Sequence, residues 1–152
     1  MRYLRFSSML LAFAMLLFAA DPYAGTWKLD PAKSKYKSGA PLKEQTVTIS
    51  ESGGDLDIVV KGVASDGTPL SSHYTIPASG GTGKVIESSA YDRISGKRLS
   101  PTERETSYSK NGKVVYTIHS TVSSDGKTLT THVKGKNAAG QMVEGTNVQV
   151  KE

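Results

Sequence analysis

The sequence predicts an all-β chain, an antiparallel up-and-down meander of about 8–10 strands that closes into a barrel. Three observations predict it. From Tyr23 onward there is almost no helical period, and apolar and polar residues alternate instead. Turn dipeptides break the alternation at regular spacing, with Asp66-Gly67, Asn111-Gly112 and Asp125-Gly126 as hairpin signals. Consecutive hairpins with short loops make a meander, and a meander of this size has two bare edges unless it closes on itself.

The chain opens with Arg2 and Arg5, an uncharged apolar run from Met9 to Phe18, and small residues at Ala19 and Ala20. This is the pattern of a secretory signal peptide. The run is shorter than the roughly 20 apolar residues of a membrane-spanning helix. Asp21-Pro22 ends it. The expected organisation is residues 1–20 as signal peptide and residues 21–152 as one domain, exported to the periplasm or outside the cell, with no stable membrane insertion. Phe18 is bulky for its place before the cut, which leaves the cleavage site free by a residue or two.

Strands are expected at about 24–29, 45–51, 56–64, 69–77, 84–91, 102–109, 113–123, 127–135 and 142–150. Gly53-Gly54, Gly80-Gly81, Ser95-Gly96 and Ala139-Gly140 read as further turns. After the first strand, Asp30 suits the cap and Pro31 the first position of a single helical turn. Tyr36 to Pro41 then reads as irregular.

Composition excludes several classes. With no cysteine there is no disulfide, no thiolate metal site and no thiol nucleophile. Removing residues 1–20 leaves 132, enough for one domain that buries roughly two-thirds of its unfolded surface. Without Arg2 and Arg5 the charge is 17 basic against 14 acidic residues, a scattered net +3. Lys33, Lys35 and Lys37 form the densest cluster, which reads as a solvated basic loop. No basic stripe with interleaved aromatics or groove-reading helix supports nucleic-acid binding.

Alternation assigns the inner faces. Leu56, Ile58 and Val60 share one, Leu70, Tyr74 and Ile76 another, Val114, Tyr116, Ile118 and Val122 a third, and Leu129 with Val133 a fourth. Serine and threonine fill many other inward positions. Both an economically packed barrel and a partly polar cavity fit that pattern. If a cavity is present, its lining is Ile58, Val60, Tyr74, Tyr116, Ile118 and Val133, with the two phenols as polar handles for a small apolar or amphipathic ligand.

The opening segment Ala24-Gly25-Thr26-Trp27-Lys28-Leu29-Asp30-Pro31-Ala32-Lys33-Ser34-Lys35 resembles the start of the secreted bacterial lipocalin-like proteins of the calycin group. The likeness continues in Glu44-Gln45-Thr46-Val47, Ala64-Ser65-Asp66-Gly67, Lys110-Asn111-Gly112-Lys113-Val114-Val115 and Ser124-Asp125-Gly126-Lys127-Thr128-Leu129-Thr130, and so covers most of the mature chain. The resemblance implies a β-barrel whose interior can hold a small apolar molecule, with Trp27 as a plug at the closed end. It implies no defined chemistry. The chain departs from the better-known lipocalins in three respects: it has no Thr-Asp-Tyr turn, no last-strand arginine to lie over the tryptophan, and no Arg-x-Tyr near the C-terminus to hold a fatty-acid carboxylate.

Candidate chemistry is sparse. Ser79-Gly80-Gly81-Thr82-Gly83-Lys84 misses the phosphate-loop pattern, because Ala78 stands where a glycine is needed, Val85 where a hydroxyl residue is needed, and a strand follows. A two-residue turn at Asp125-Gly126 pairs Val122 with Leu129, Ile118 with Val133 and His119 with His132. That puts the two imidazoles together on the face away from Ile118. They are a weak zinc pair lacking a third ligand. A two-residue turn at Asn111-Gly112 sets Glu105 opposite Ile118 and Glu103 opposite Ser120, both inward, with Arg93 and Arg104 as possible counter-ions. A bulge or longer loop turns these carboxylates outward instead, which spares the cost of burying them. No nucleophile elbow is present.

The sequence therefore points to an exported, non-enzymatic protein binding a small apolar or amphipathic ligand in a barrel, without a cofactor. A packed barrel acting through its outer surface, and a small enzyme using interior carboxylates, are the alternatives. Intact-mass analysis of exported protein is expected to find a chain that begins close to Asp21; a full-length product embedded in the membrane would contradict this.

Overall fold

The computed structural model describes residues 20–137 and 139–152. Apart from Ala20, the expected signal peptide lies outside the described residues. Twelve strands form one antiparallel sheet. They are β1 Gly25–Leu29, β2 Lys35–Ser38, β3 Leu42–Ser52, β4 Asp55–Ala64, β5 Pro69–Pro77, β6 Gly80–Thr82, β7 Lys84–Ser88, β8 Arg93–Ser100, β9 Glu103–Lys110, β10 Lys113–Val122, β11 Thr128–Lys136 and β12 Met142–Lys151. Among the described residues no helix is long and apolar enough to cross a membrane.

Two staves of the barrel are broken strands. β1 and β2 both lie on β12, β1 against Gln149–Lys151 and β2 against Glu144–Thr146. Between them Asp30 nucleates the one tight turn: its Oδ1 accepts from the N–H of Ala32 and Lys33, and its carbonyl from the N–H of Ser34 at 3.1 Å. Ser34 Oγ then accepts from Val148 N, which keeps the ladder engaged across the gap. The expected helical turn is thus a capped turn, and the segment read as irregular supplies β2.

β6 and β7 form the second broken stave, and it closes the barrel. β7 pairs with β5, whereas β6 pairs with β8. The stave changes partner at Gly83, whose N–H donates to Ile94 O at 3.0 Å. A Cβ on Gly83 would stand 2.3 Å from Thr75 O and 2.8 Å from Ile94 Cγ2. Only a residue without a side chain lets β5 and β8 approach this closely from both sides.

Several expected boundaries shift. Ser95-Gly96 is not a turn but lies within β8, where Gly96 faces Gly81 and Thr106. Its missing side chain makes room for Ile76 Cδ1, which would sit 2.6 Å from a Cβ. A glycine in a strand marks close approach as readily as it marks a turn. Gly80-Gly81 belongs to β6, and the turn sits earlier, at Ala78 and Ser79. β7 stops at Ser88, short of the expected 91.

The β10–β11 register matches the expected one in full, with Val122 opposite Leu129, Ile118 opposite Val133 and His119 opposite His132. On the other side of β10 a bulge between Val114 and Tyr116 advances the register by one residue. Val114 is thereby turned out to solvent, contrary to expectation. The barrel core gathers Tyr23, Trp27, Val47, Leu56, Ile76 and Ile94 with their neighbours.

If Gly83 is the closure point, Gly83→Ala should lose about 1–3 kcal/mol through overpacking. Urea unfolding checks this, and a variant as stable as the parent would show that β5 and β8 do not converge there.

Candidate functional site

The barrel encloses a cavity of about 580 Å³. One end is sealed and the other open. Tyr23, Leu56, Ile76, Arg104 and Leu129 at the sealed end are buried, whereas Ala40, Asp66, Thr68 and Gln141 at the other are exposed. The volume falls in the range of small-molecule sites, roughly 300–1,000 Å³. Ile58, Val60, Tyr74, Tyr116, Ile118 and Val133 lie along its wall.

The sealed end is built from the segment that follows Ala20. Trp27 is fully buried and donates its indole N–H to Tyr23 O at 2.8 Å. Tyr23 donates its hydroxyl to Ser120 O at 2.7 Å, pinning the segment to β10. Among the described residues it is Lys151, and not an arginine, that covers Trp27: its Nζ lies 4.9 Å from the ring centroid. The lysine passes over Gly25, where a Cβ would meet Lys151 Cε at 2.4 Å; Gly25 also has φ +138°. The Gly-x-Trp spacing is therefore a packing requirement, since a side chain at Gly25 would displace the cation from the indole.

Four tyrosines form the middle of the wall. Tyr108 and Tyr116 stack at 4.4 Å between centroids, and Tyr91 meets Tyr108 edge-on at 4.8 Å. Tyr74 and Tyr108 share a hydroxyl–hydroxyl hydrogen bond of 2.9 Å. Burial pushes all four phenols above their usual range, so each stays protonated at neutral pH. Sequence reasoning found Tyr74 and Tyr116 but missed Tyr91 and Tyr108. Tyr108 was hidden because its facing depends on the bulge in β10.

The same bulge decides between the two orientations open to Glu103 and Glu105: it turns both outward, the alternative that spares the cost of burying them. Glu105 pairs with His119 and Glu103 with Thr121 in the ladder, both on the outer face. Glu103 Oε1 lies 2.8 Å from His119 Nε2 with both side chains partly exposed. Arg104 takes the inward position between them and is 4% exposed. It serves no interior glutamate; its Nη1 donates to Ala78 O at 2.7 Å and its Nη2 to Pro77 O at 3.0 Å. Arg93 is exposed.

His119 and His132 are cross-strand neighbours on the outer face, as the register requires. His132 Nδ1 lies 2.8 Å from Thr146 Oγ1. Among the described residues no three histidine or acidic side chains converge as a metal site. The pair borders a shallow outer groove shared with Lys35, Lys37 and Glu144.

No family model and no curated protein matches this chain. Among solved structures it is similar to a redesigned β-barrel, mFAP1, bound to DFHBI, at 17% identity over 86% of this chain and 95% of that one, with a TM-score of 0.44. A de novo designed fluorescence-activating β-barrel gives 17% identity over 88% and 96%, with a TM-score of 0.45. Lobster apocrustacyanin A1 gives 12% identity over 86% of this chain and 61% of that one, also at 0.45. The barrel assignment stands on the strand pairing and not on these likenesses.

Trp27→Ala should destabilise the fold by about 3–5 kcal/mol, the cost of an unfilled cavity under a buried aromatic. The native indole emission should be blue-shifted and move red on unfolding. Emission already like that of indole in water would contradict the plug.

Proposed function

We propose that this protein is an exported, non-catalytic carrier that holds a small apolar or amphipathic molecule inside the barrel. The observation that carries the reading is the cavity itself, sealed by Tyr23 and the buried Trp27 at one end and open at the other, with apolar side chains and phenols along its wall. The export half rests on Arg2, Arg5 and the apolar run from Met9 to Phe18.

The wall also argues against catalysis. A general base must reach the substrate with a pKa near the working pH. The interior phenols are pushed well above that range by burial, and Glu103 and Glu105 face outward. Among the described lining residues the carboxylate is that of Asp66, exposed at the rim. The wall suits retention of a ligand, with phenols and hydroxyls able to orient one polar atom of it.

N-phenyl-1-naphthylamine, a neutral apolar dye that brightens in dry surroundings, should bind the folded protein saturably at one site. Tyr116→Ala removes part of the wall, and Ile118→Trp fills the space. Each should weaken the dye by about tenfold, equivalent to about 1.4 kcal/mol. A folded protein that leaves the dye dark would overturn the carrier reading in favour of action through the outer surface.

A further inference from the structure

The strand registers set one polar side chain from each of four neighbouring strands in a single inner row. Ser120 of β10 lies opposite both Arg104 of β9 and Thr131 of β11, and Thr131 lies opposite Asn147 of β12. All four line the cavity. With neighbouring strands about 4.8 Å apart, the row runs roughly 14 Å around the wall. Apolar pairs flank it, Ile118 with Val133 towards the mouth and Val122 with Leu129 towards the sealed end.

Arg104 anchors this row; among the described residues it forms no ion pair, and its guanidinium lies 5.8 Å from the Tyr23 ring centroid. A guanidinium has five N–H donors. The two bonds to Ala78 O and Pro77 O leave three without a protein acceptor among the described residues. The acid whose charge Arg104 feels, Asp21, is itself held by Arg98 in an ion pair. A cation taken out of water and given only neutral acceptors is costly, and an incoming anion removes much of that cost.

A second observation points to the same space. Among the described residues, the buried amide oxygens Asn147 Oδ1 and Gln149 Oε1 have no hydrogen-bond partner. Both residues line this cavity. Buried polar atoms are almost always paired, so the two amides mark this wall as polar and incompletely satisfied by the protein alone, beside the free donors of Arg104.

We infer that the barrel takes an amphipathic oxyanion, a molecule with one carboxylate-type group that lies against Arg104 and an apolar body that packs among Ile58, Tyr74 and Tyr116. The inference rests on the carrier reading and names its ligand class. The arginine stands on β9, deep in the barrel, and uses no Arg-x-Tyr pair near the C-terminus. Burial and the neighbouring Arg98 lower its proton affinity somewhat, but an arginine remains charged at neutral pH, so the positive end is permanent.

Displacement of bound N-phenyl-1-naphthylamine by decanoate and by methyl decanoate tests this on the unaltered protein. The two competitors share their chain length and differ in charge. Decanoate should displace the dye at concentrations at least about tenfold lower than the ester, the worth of a charge-assisted hydrogen bond. Arg104→Met should abolish that preference, read as the ratio of the acid and ester displacement constants within the same variant whatever its own affinity for the dye, and Arg104→Lys should keep part of it. Circular dichroism confirms that each variant is folded, and the comparison in the unaltered protein stands even if one is not. Equal displacement by acid and ester overturns the inference and leaves the carrier reading intact. A preference for the acid that survives Arg104→Met overturns the assignment to Arg104. Failure of the dye itself to bind removes the carrier reading and this inference together.

Discussion

Gly83 is where the sheet becomes a barrel, because there one stave leaves β5 and joins β8. Its N–H bonds to Ile94 O while its Cα sits against Thr75 O and Ile94 Cγ2 with no room for a Cβ. Without that exchange the chain would carry two long open edges, β5 and β8, each a template for pairing with other chains. Closure also creates the inside. Ten staves enclose more space than the eight that side chains can fill, since barrel diameter grows with strand number. The arginine of β9 completes the same seam from within, by donating to Pro77 O and Ala78 O where β6 has drawn away from β5. The seam and the sealed end are therefore one structure, and the cavity exists because both hold.

One extra residue in β10 decides the chemistry of that cavity. The turn at Asn111-Gly112 is the expected two-residue one, with Lys110 opposite Lys113. The bulge at Val115 then moves every later pair by one, and in a strand a shift of one exchanges the faces. Glu103 and Glu105 go out to solvent beside His119, while Arg104, Thr106 and Tyr108 come in. A barrel with two buried carboxylates would have been a candidate for acid–base work; the same strand with a buried arginine offers a cation to the interior instead. Bulges re-aim side chains next to functional sites as a matter of geometry, and here a single one reverses the sign of the interior.

The parts of this fold that were legible in the sequence are those fixed locally. Asp-Gly and Asn-Gly turns set their hairpins, and matching apolar faces set the β10–β11 register, so the positions of Ile118, Val133, His119 and His132 follow from counting. Trp27 as a plug was implied by the resemblance of the opening segment and not by any local rule. What could not be read depends on contacts across the barrel. Gly96 resembles a turn residue until Ile76 is seen to occupy the space of its side chain. β2 is too short and polar to announce itself, and exists because β12 offers it an edge. Arg104 carried no signal at all, because whether it faced in or out hung on a bulge with no sequence mark. Asn147 and Gln149 did carry one: two amides at alternating positions in an otherwise alternating strand, on the face opposite Val148 and Val150.

Those amides bear on what kind of interior this is. A barrel meant only to be packed would fill inward positions with aliphatic side chains, since each buried polar atom left unpaired costs about 1–3 kcal/mol. The unpaired amide oxygens of Asn147 and Gln149 would take a noticeable share of the roughly 5–15 kcal/mol by which a domain of this size is stable. Both residues stand on the wall of the cavity, so the cost is borne beside the space an occupant fills. The lower rows, with Val122, Leu129, Leu56 and Ile76, are packed as a core must be, save for Gln149 opposite Leu129. The row above them is not, and its polar side chains are bought with stability that an unoccupied, tightly packed barrel would have kept. Sequence positions that break the inward apolar rule at a cost are where function is expected. In this chain they converge on one wall, between the tyrosine cluster and the plug.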